Sequence, residues 1–120
     1  MQNNNRVLVV DDEPDIFDLL KYNLEREGYE VEVASNGEEA LKKAEFFKPE
    51  LVLLDIMMPK MDGVETCRRL REMPDMIDSY IIFLTARAEE YSEVAAFDVG
   101  ADDDLIKPIK PRALMSRINS

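Results

Sequence analysis

The chain has 120 residues, 46% of them hydrophobic, with a formal charge of −11 and no histidine. That length suits one domain around one core and is too short for two, and the acidic balance makes the domain by itself a poor candidate for gripping nucleic acid or an anionic membrane. A divalent cation or a basic partner surface fits the charge better.

Residues 1–5 read as a polar leader without the apolar core of a targeting signal, and no run approaches the length that spans a bilayer. The expectation is a soluble, cytoplasmic domain over residues 6–120. Val7 to Val10 predicts a buried strand ending on Asp11-Asp12. Pro14 opens a helix with Ile16, Leu19, Leu20 and Leu24 as its apolar stripe, and Gly28 stops it. Val31-Glu32-Val33 alternates like an edge strand. Ser35 and Glu38 have capping-box spacing ahead of a helix that buries Ala40, Leu41, Ala44 and Phe47, and Lys48-Pro49 ends it.

Leu51-Val52-Leu53-Leu54 is continuously aliphatic, as a strand covered on both faces of a parallel sheet must be, and it delivers Asp55 to its end. Asp62 with Glu65 predicts a second capping box, opening a helix through Val64, Cys67 and Leu70 that closes by Pro74. Cys67 therefore reads as a small buried hydrophobe, and one cysteine permits no disulfide framework, consistent with a reducing compartment. Ile81 to Leu84 is another buried strand, ending on Thr85. Residues 89–99 predict a short helix with Val94, Ala95 and Phe97 inward and Gly100 as its stop. Leu105-Ile106 predicts a brief strand ending on Lys107-Pro108, and Pro111 starts a last helix with Leu114, Met115 and Ile118 inward. Little sequence is left to finish that helix, so truncation before a downstream effector domain is an expectation.

Strand and helix alternate five times, which predicts an α/β fold: a five-stranded, doubly wound parallel sheet with five helices. Right-handed crossovers bring all the strands' carboxyl ends to one edge. Ligands bind there in open α/β sheets, so Asp11, Asp12, Asp55, Thr85 and Lys107 should converge. Two carboxylates at about 4 Å repel by roughly 4 kcal/mol at an effective dielectric near 20, more than any capping role would return. A bound cation removes that repulsion. Oxygen ligands without histidine favour Mg²⁺ over zinc or copper, and magnesium's usual co-ligand is a phosphate oxygen. Lys107 would neutralise one phosphoryl oxygen and Thr85 would donate to another. Asp55 is then either a third metal ligand or the acceptor of the phosphoryl group.

The sequences Val9-Val10-Asp11-Asp12-Glu13, Leu54-Asp55-Ile56-Met57-Met58-Pro59 closing in Met61-Asp62-Gly63, Leu84-Thr85-Ala86, and Gly100-Ala101-Asp102-Asp103 followed by Lys107-Pro108 resemble, in order, the receiver domain of two-component response regulators. The resemblance implies a flavodoxin-like sheet of order 2-1-3-4-5 and a phosphorelay function, in which Asp55 accepts a phosphoryl group from a sensor histidine kinase or phosphotransfer protein. It implies Mg²⁺ held by Asp12, Asp55 and the Met57 carbonyl, with Asp11 assisting through water. It further implies Thr85 and Lys107 on the phosphoryl oxygens, and a cis bond before Pro108. Such a domain catalyses only its own phosphorylation and dephosphorylation and is not a turnover enzyme.

Pro111-Arg112 and Arg117 resemble receivers joined to winged-helix DNA-binding domains, which regulate transcription and dimerise on activation; Asp102, Asp103 and Arg117 match charges used in that homodimer. Glu93 and Ala113 stand where a lysine and a glutamate would be, so one cross-dimer bridge is missing. Asp104 occupies the place of the family's switching aromatic, and a carboxylate does not enter an apolar pocket at comparable cost; Ile109 likewise replaces an aromatic. Met57 and Arg87 occupy positions that tune hydrolysis in the family. Three other readings compete. An aspartyl phosphatase would want a carboxylate where Met57 stands. A flavin module would want a phosphate loop where Asp11-Asp12-Glu13 stands. A degenerate receiver acting as a constitutive interaction surface is kept open by Asp104.

Overall fold

The computed structural model describes residues 5–86 and 98–119. Three apolar runs form the middle of the sheet, because aliphatic side chains on both faces need cover on both. These are β1 (Arg6–Val10), β3 (Leu51–Asp55) and β4 (Tyr80–Thr85), buried almost throughout. One edge is β2 (Glu30–Ala34), which alternates exposed and covered residues, and the other is β5 (Asp103–Ile106). All neighbours pair parallel, in the order β2-β1-β3-β4-β5.

Parallel pairing demands crossovers, and helices supply them. Among the described residues the crossovers are α1 (Pro14–Arg26), α2 (Gly37–Phe47) and α3 (Gly63–Arg71), and α4 (Pro111–Ile118) follows the last strand. Proline opens α1 and α4, where its missing N–H costs nothing. Gly28, at φ +95°, turns the chain out of α1. Strand side chains alternate between two cores. Val7, Val9, Leu53, Ile82 and Leu84 meet Leu20 and Leu24 of α1 and Leu114 of α4. Leu8, Val10, Val52, Leu54, Ile81 and Phe83 meet Ala40 and Ala44 of α2 and Cys67 and Leu70 of α3. Helices therefore cover both faces, and the doubly wound arrangement follows.

Four α-helices are present among the described residues where five were expected. The helix expected over 89–99, with Val94, Ala95 and Phe97, lies outside the described residues except for its last two positions, of which Val99 packs on the α2–α3 core. The strand expected at 105–106 begins at Asp103. Its polar start is tolerated because an edge strand leaves side chains half-covered. Helix α3 ends at Arg71, and Pro74 opens a short 3₁₀ turn (Pro74–Met76) that buries Met76. No helix among the described residues is long and apolar enough to cross a membrane.

The first expected capping box is displaced by one residue. Asn36, not Ser35, caps α2, its side chain accepting from the Glu39 N–H at 2.8 Å, and the Glu39 carboxylate accepts in return from the Ser35 N–H at 2.7 Å. Asp62 caps α3 by accepting from the Glu65 N–H at 2.9 Å, but the Glu65 carboxylate turns to Arg68 and Arg69. Replacing Asn36 by Ala should accordingly cost about 1 kcal/mol in urea unfolding, whereas Glu38→Ala should stay within about 0.5 kcal/mol of the parent chain.

Candidate functional site

The strand register assembles the site. Val10 pairs with Leu54, so Asp11 and Asp55 each stand one residue further along adjacent strands, while Asp55 pairs with Leu84 and Thr85 with Ile106. Asp11, Asp55 and Thr85 thus reach the same rim, and Lys107 follows Ile106 immediately beside it. The Lys107 N–H donates to the Thr85 carbonyl at 2.6 Å, extending the β4–β5 pairing by one step. The peptide bond from Lys107 to Pro108 is cis.

The side chains meet across these strand ends. Lys107 Nζ lies 3.2 Å from Asp55 Oδ1 and 3.0 Å from Asp11 Oδ2, with Glu13 Oε1 at 3.8 Å. One oxygen from each of Asp11, Asp12 and Asp55 can be chosen such that all three lie within 4.8 Å of one another. Asp11 is fully buried and Asp55 nearly so, while Asp12 is exposed at the mouth. Thr85 is fully buried at the end of β4, whereas the Met57 side chain is exposed just beyond Asp55. Glu13, which sequence reasoning passed over as a site residue, belongs to the cluster: its N–H donates to Asp11 Oδ1 at 3.0 Å, bending the chain so that both carboxylates face Lys107. The short spacing between Asp11 and Glu13 was the available signal.

One ammonium therefore faces a group of carboxylates, and the balance stays negative. Burial, then the charge of Asp11, lifts the Asp55 carboxyl to about 6, with Lys107 pulling the other way and Asp12 adding to the rise. Burial alone would lower the Lys107 ammonium, but its contact with Asp11 and the charges of Asp11 and Asp55 outweigh that and raise its pKa. Asp11 Oδ2, although 3.0 Å from Lys107 Nζ, is not aligned for hydrogen bonding and keeps no hydrogen-bond partner. A buried carboxylate oxygen left in this state is costly. A hard cation coordinated by oxygens would satisfy it, and the donor set contains oxygen ligands alone.

The dimer candidates are engaged within the chain. The Asp102 carboxylate accepts from Arg71 Nη2 at 2.8 Å and from the Ile81 N–H at 2.9 Å, and Asp103 pairs with Arg117. Asp104 is half-buried on β5 opposite Phe83, and Ile109 packs against the α1–α4 core. Ala113 is exposed on α4. Arg87 and Glu93 lie outside the described residues.

A doubly wound α/β domain with an acidic, lysine-bearing crevice at the carboxyl rim is the arrangement that the resemblance to receiver domains implies. The chain belongs to the response regulator receiver domain family, whose model matches residues 7–119. It is 51% identical over 117 residues to the alkaline phosphatase synthesis transcriptional regulatory protein PhoP of Bacillus subtilis, covering 98% of this chain and 48% of PhoP. To the transcriptional regulatory protein ResD of the same organism it is 44% identical over 118 residues, with the same coverage. The chain thus spans about half the length of these curated relatives. Among solved structures, the chemotaxis protein CheY4 of Vibrio cholerae matches with a TM-score of 0.91 at 32% identity over 95% of both chains. The BeF3-activated DrrB receiver domain matches at 0.82 and 32% identity, over 95% of this chain and 93% of that one.

The raised Asp55 pKa fixes a sign. Between the ordinary aspartate value of 3.8 and about 6 the folded state holds a proton the unfolded state has lost, so stability falls as pH rises through that window. In chelator-treated protein, Asp55→Asn should unfold at higher urea than the parent at pH 7.5, by on the order of 2 kcal/mol. That difference should shrink towards pH 4.

Proposed function

We propose that the domain is a phosphorylation switch in which Asp55 accepts a phosphoryl group from the phosphohistidine of a sensor histidine kinase or phosphotransfer protein. The observation that carries this reading is the Lys107 ammonium lodged between Asp11 and Asp55 at 3.0 and 3.2 Å, at the rim where Thr85 also ends its strand. Magnesium is the fitting metal, held by Asp11, Asp12, Asp55 and the backbone carbonyl of Met57. The buried Asp11 oxygen, which has an ion pair with Lys107 but no hydrogen bond, and the all-oxygen donor set support it. When bound, the ion supplies positive charge that offsets the carboxylates and the oxygens of the transferring group.

The residues of the chain do the rest. An Asp55 carboxylate oxygen attacks phosphorus, the phosphorus–nitrogen bond breaks, and its electron pair leaves with the donor imidazole. Lys107 exchanges part of its contact with Asp55 for a phosphoryl oxygen, and the Thr85 hydroxyl donates to another. Attack of water on phosphorus later returns the free carboxylate and inorganic phosphate. The domain thereby acts only on itself and is not a turnover enzyme.

PhoP and ResD are named as transcriptional regulators, which supports a cytoplasmic role in transcription control for the longer protein of which such a domain forms about half. A homodimer formed on activation would use Asp102, Asp103 and Arg117. Since Asp102 and Asp103 are paired within the chain, with Arg71 and Arg117, dimerisation would require an exchange of partners. With a carboxylate at position 104 no aromatic ring there can report the state of Thr85, so the readout passes through other contacts of the edge strand.

Incubation with Mg²⁺ and a small acyl phosphate should add one phosphoryl group, stable in acid and labile in base, detected by intact-protein mass spectrometry. Asp55→Asn should take none, and Lys107→Ala should slow the reaction by roughly 10²-fold, as loss of a charge-stabilising donor does. An equal adduct on Asp55→Asn would overturn the assignment.

A further inference from the structure

We infer that Gly63 is a positioning residue for Asp55, letting the first turn of α3 press directly on the backbone of the phosphoacceptor. A Cβ at Gly63 would lie 2.3 Å from the Asp55 carbonyl oxygen, 2.7 Å from Ile56 Cα and 3.0 Å from the Asp55 carbonyl carbon. All three are backbone atoms, so no rotamer change relieves the overlap; either α3 retreats or the end of β3 shifts.

The surrounding hydrogen bonds show what that contact holds. The Ile56 N–H donates to the Leu84 carbonyl at 3.1 Å, tying it to β4, while the Ile56 carbonyl accepts from the Gly63 N–H at 2.8 Å, tying it to α3. The residue after Asp55 is thus gripped from both sides. Between the grips the chain makes a tight excursion: Met58 N–H donates back to the Ile56 carbonyl at 3.2 Å, Met61 N–H to the Pro59 carbonyl at 2.9 Å, and Lys60 takes a left-handed φ of 71°. Asp62 then closes α3's first turn, its side chain accepting from the Glu65 N–H at 2.9 Å and its carbonyl from the Thr66 hydroxyl at 2.8 Å. The Met57 carbonyl lies inside this excursion. Gly63 therefore sets two things, the aim of the Asp55 side chain and the direction of the loop that offers a carbonyl to the cation.

Gly37 provides the comparison. It is also a close-packed glycine at a helix start, but a Cβ there would meet Thr66 Oγ1 at 2.4 Å and Met61 Sδ at 2.8 Å, both side-chain atoms and neither part of Asp55. Strain at Gly37 can be relieved by moving the Met61 and Thr66 side chains and does not push the phosphoacceptor's own backbone.

This inference rests on the phosphoacceptor reading, and the experiment separates the two. Wild type, Gly63→Ala, Gly37→Ala and Asp62→Ala are compared by urea midpoint, by Mg²⁺ affinity from amide chemical shifts, and by rate of phosphorylation with a small acyl phosphate. Gly63→Ala should weaken Mg²⁺ binding about tenfold and slow phosphorylation by about 10²-fold, as a displacement of about 1 Å does. Gly37→Ala should stay within about twofold of wild type on both measures even where its urea midpoint falls comparably. Gly63→Ala within that twofold margin, or both glycine variants losing function in step with stability, would overturn the positioning role. If Gly63→Ala does not fold, Asp62→Ala decides: it keeps the glycine but unties the first turn, and should weaken Mg²⁺ binding by about three- to fivefold, with an unchanged affinity counting against the inference. A wild type that neither binds Mg²⁺ nor takes a phosphoryl group would sink the phosphoacceptor reading instead.

Discussion

Repulsion among Asp11, Asp12 and Asp55 is the constraint on which the rest of the architecture depends. At a separation near 5 Å and an effective dielectric near 20, each like-charge pair costs about 3 kcal/mol, and one lysine cannot cancel more than part of it. Nothing local makes that arrangement favourable. The buried strands impose it, because Val7–Val10, Val52–Leu54 and Ile81–Leu84 lose water only in a register that carries Asp11 and Asp55 to adjacent strand ends. The core thus stabilises a site that would disperse if the strands were free, and the residual negative charge favours a cation there.

The opposite rim is built on the contrary rule. At the amino ends of the strands Arg6 and Arg71 are closely satisfied. Arg6 pairs with Glu50 at 2.8 Å and donates to the carbonyls of Phe47 and Lys48. Arg71 donates to the carbonyls of Met76, Ser79 and Gly100 and to the Asp102 carboxylate, which joins the end of α3, the entry to β4 and the approach to β5 through a single guanidinium. A planar donor group with fixed forks suits that task. The amino rim is held by these two paired guanidinium groups, and the carboxyl rim is left short of positive charge.

Much of this was legible in the sequence because it depends on where apolar runs stop. The ends of four such runs name Asp11, Asp55, Thr85 and Lys107, and two-sided burial implies parallel pairing. What was not legible depends on partners distant in the chain or on fine geometry. The cap of α2 falls on Asn36 and not Ser35, because it is the Asn36 side chain, on extended backbone, that accepts from the Glu39 N–H. The beginning of β5 was missed because Asp103 is held by Arg117 and by the β4 ladder, and polarity hides an edge strand from any apolar-run rule. Asp102 read as a charge of the homodimer surface, and Arg71, 31 residues away, occupies it within the chain. Gly63 read as part of a turn motif, and only the overlap that a Cβ there would make with the Asp55 carbonyl gives its lack of a side chain a purpose.

Side-chain alternation adds a last step. Residues 7 and 9 of β1, 53 of β3 and 84 of β4 face the α1–α4 layer, so Asp11, Asp55 and Lys107, in phase with them, lie on that side of the rim. Thr85 continues the series of Ile81 and Phe83 and belongs to the α2–α3 layer. A group held jointly by Lys107 and Thr85 therefore bridges the two helical layers across the end of β4, and the two contacts need not be felt by the same surface. Lys107 leads from β5 towards the start of α4, whereas Thr85 faces the layer that contains Cys67, Leu70 and Val99. The backbone bond from the Lys107 N–H to the Thr85 carbonyl joins the two residues directly.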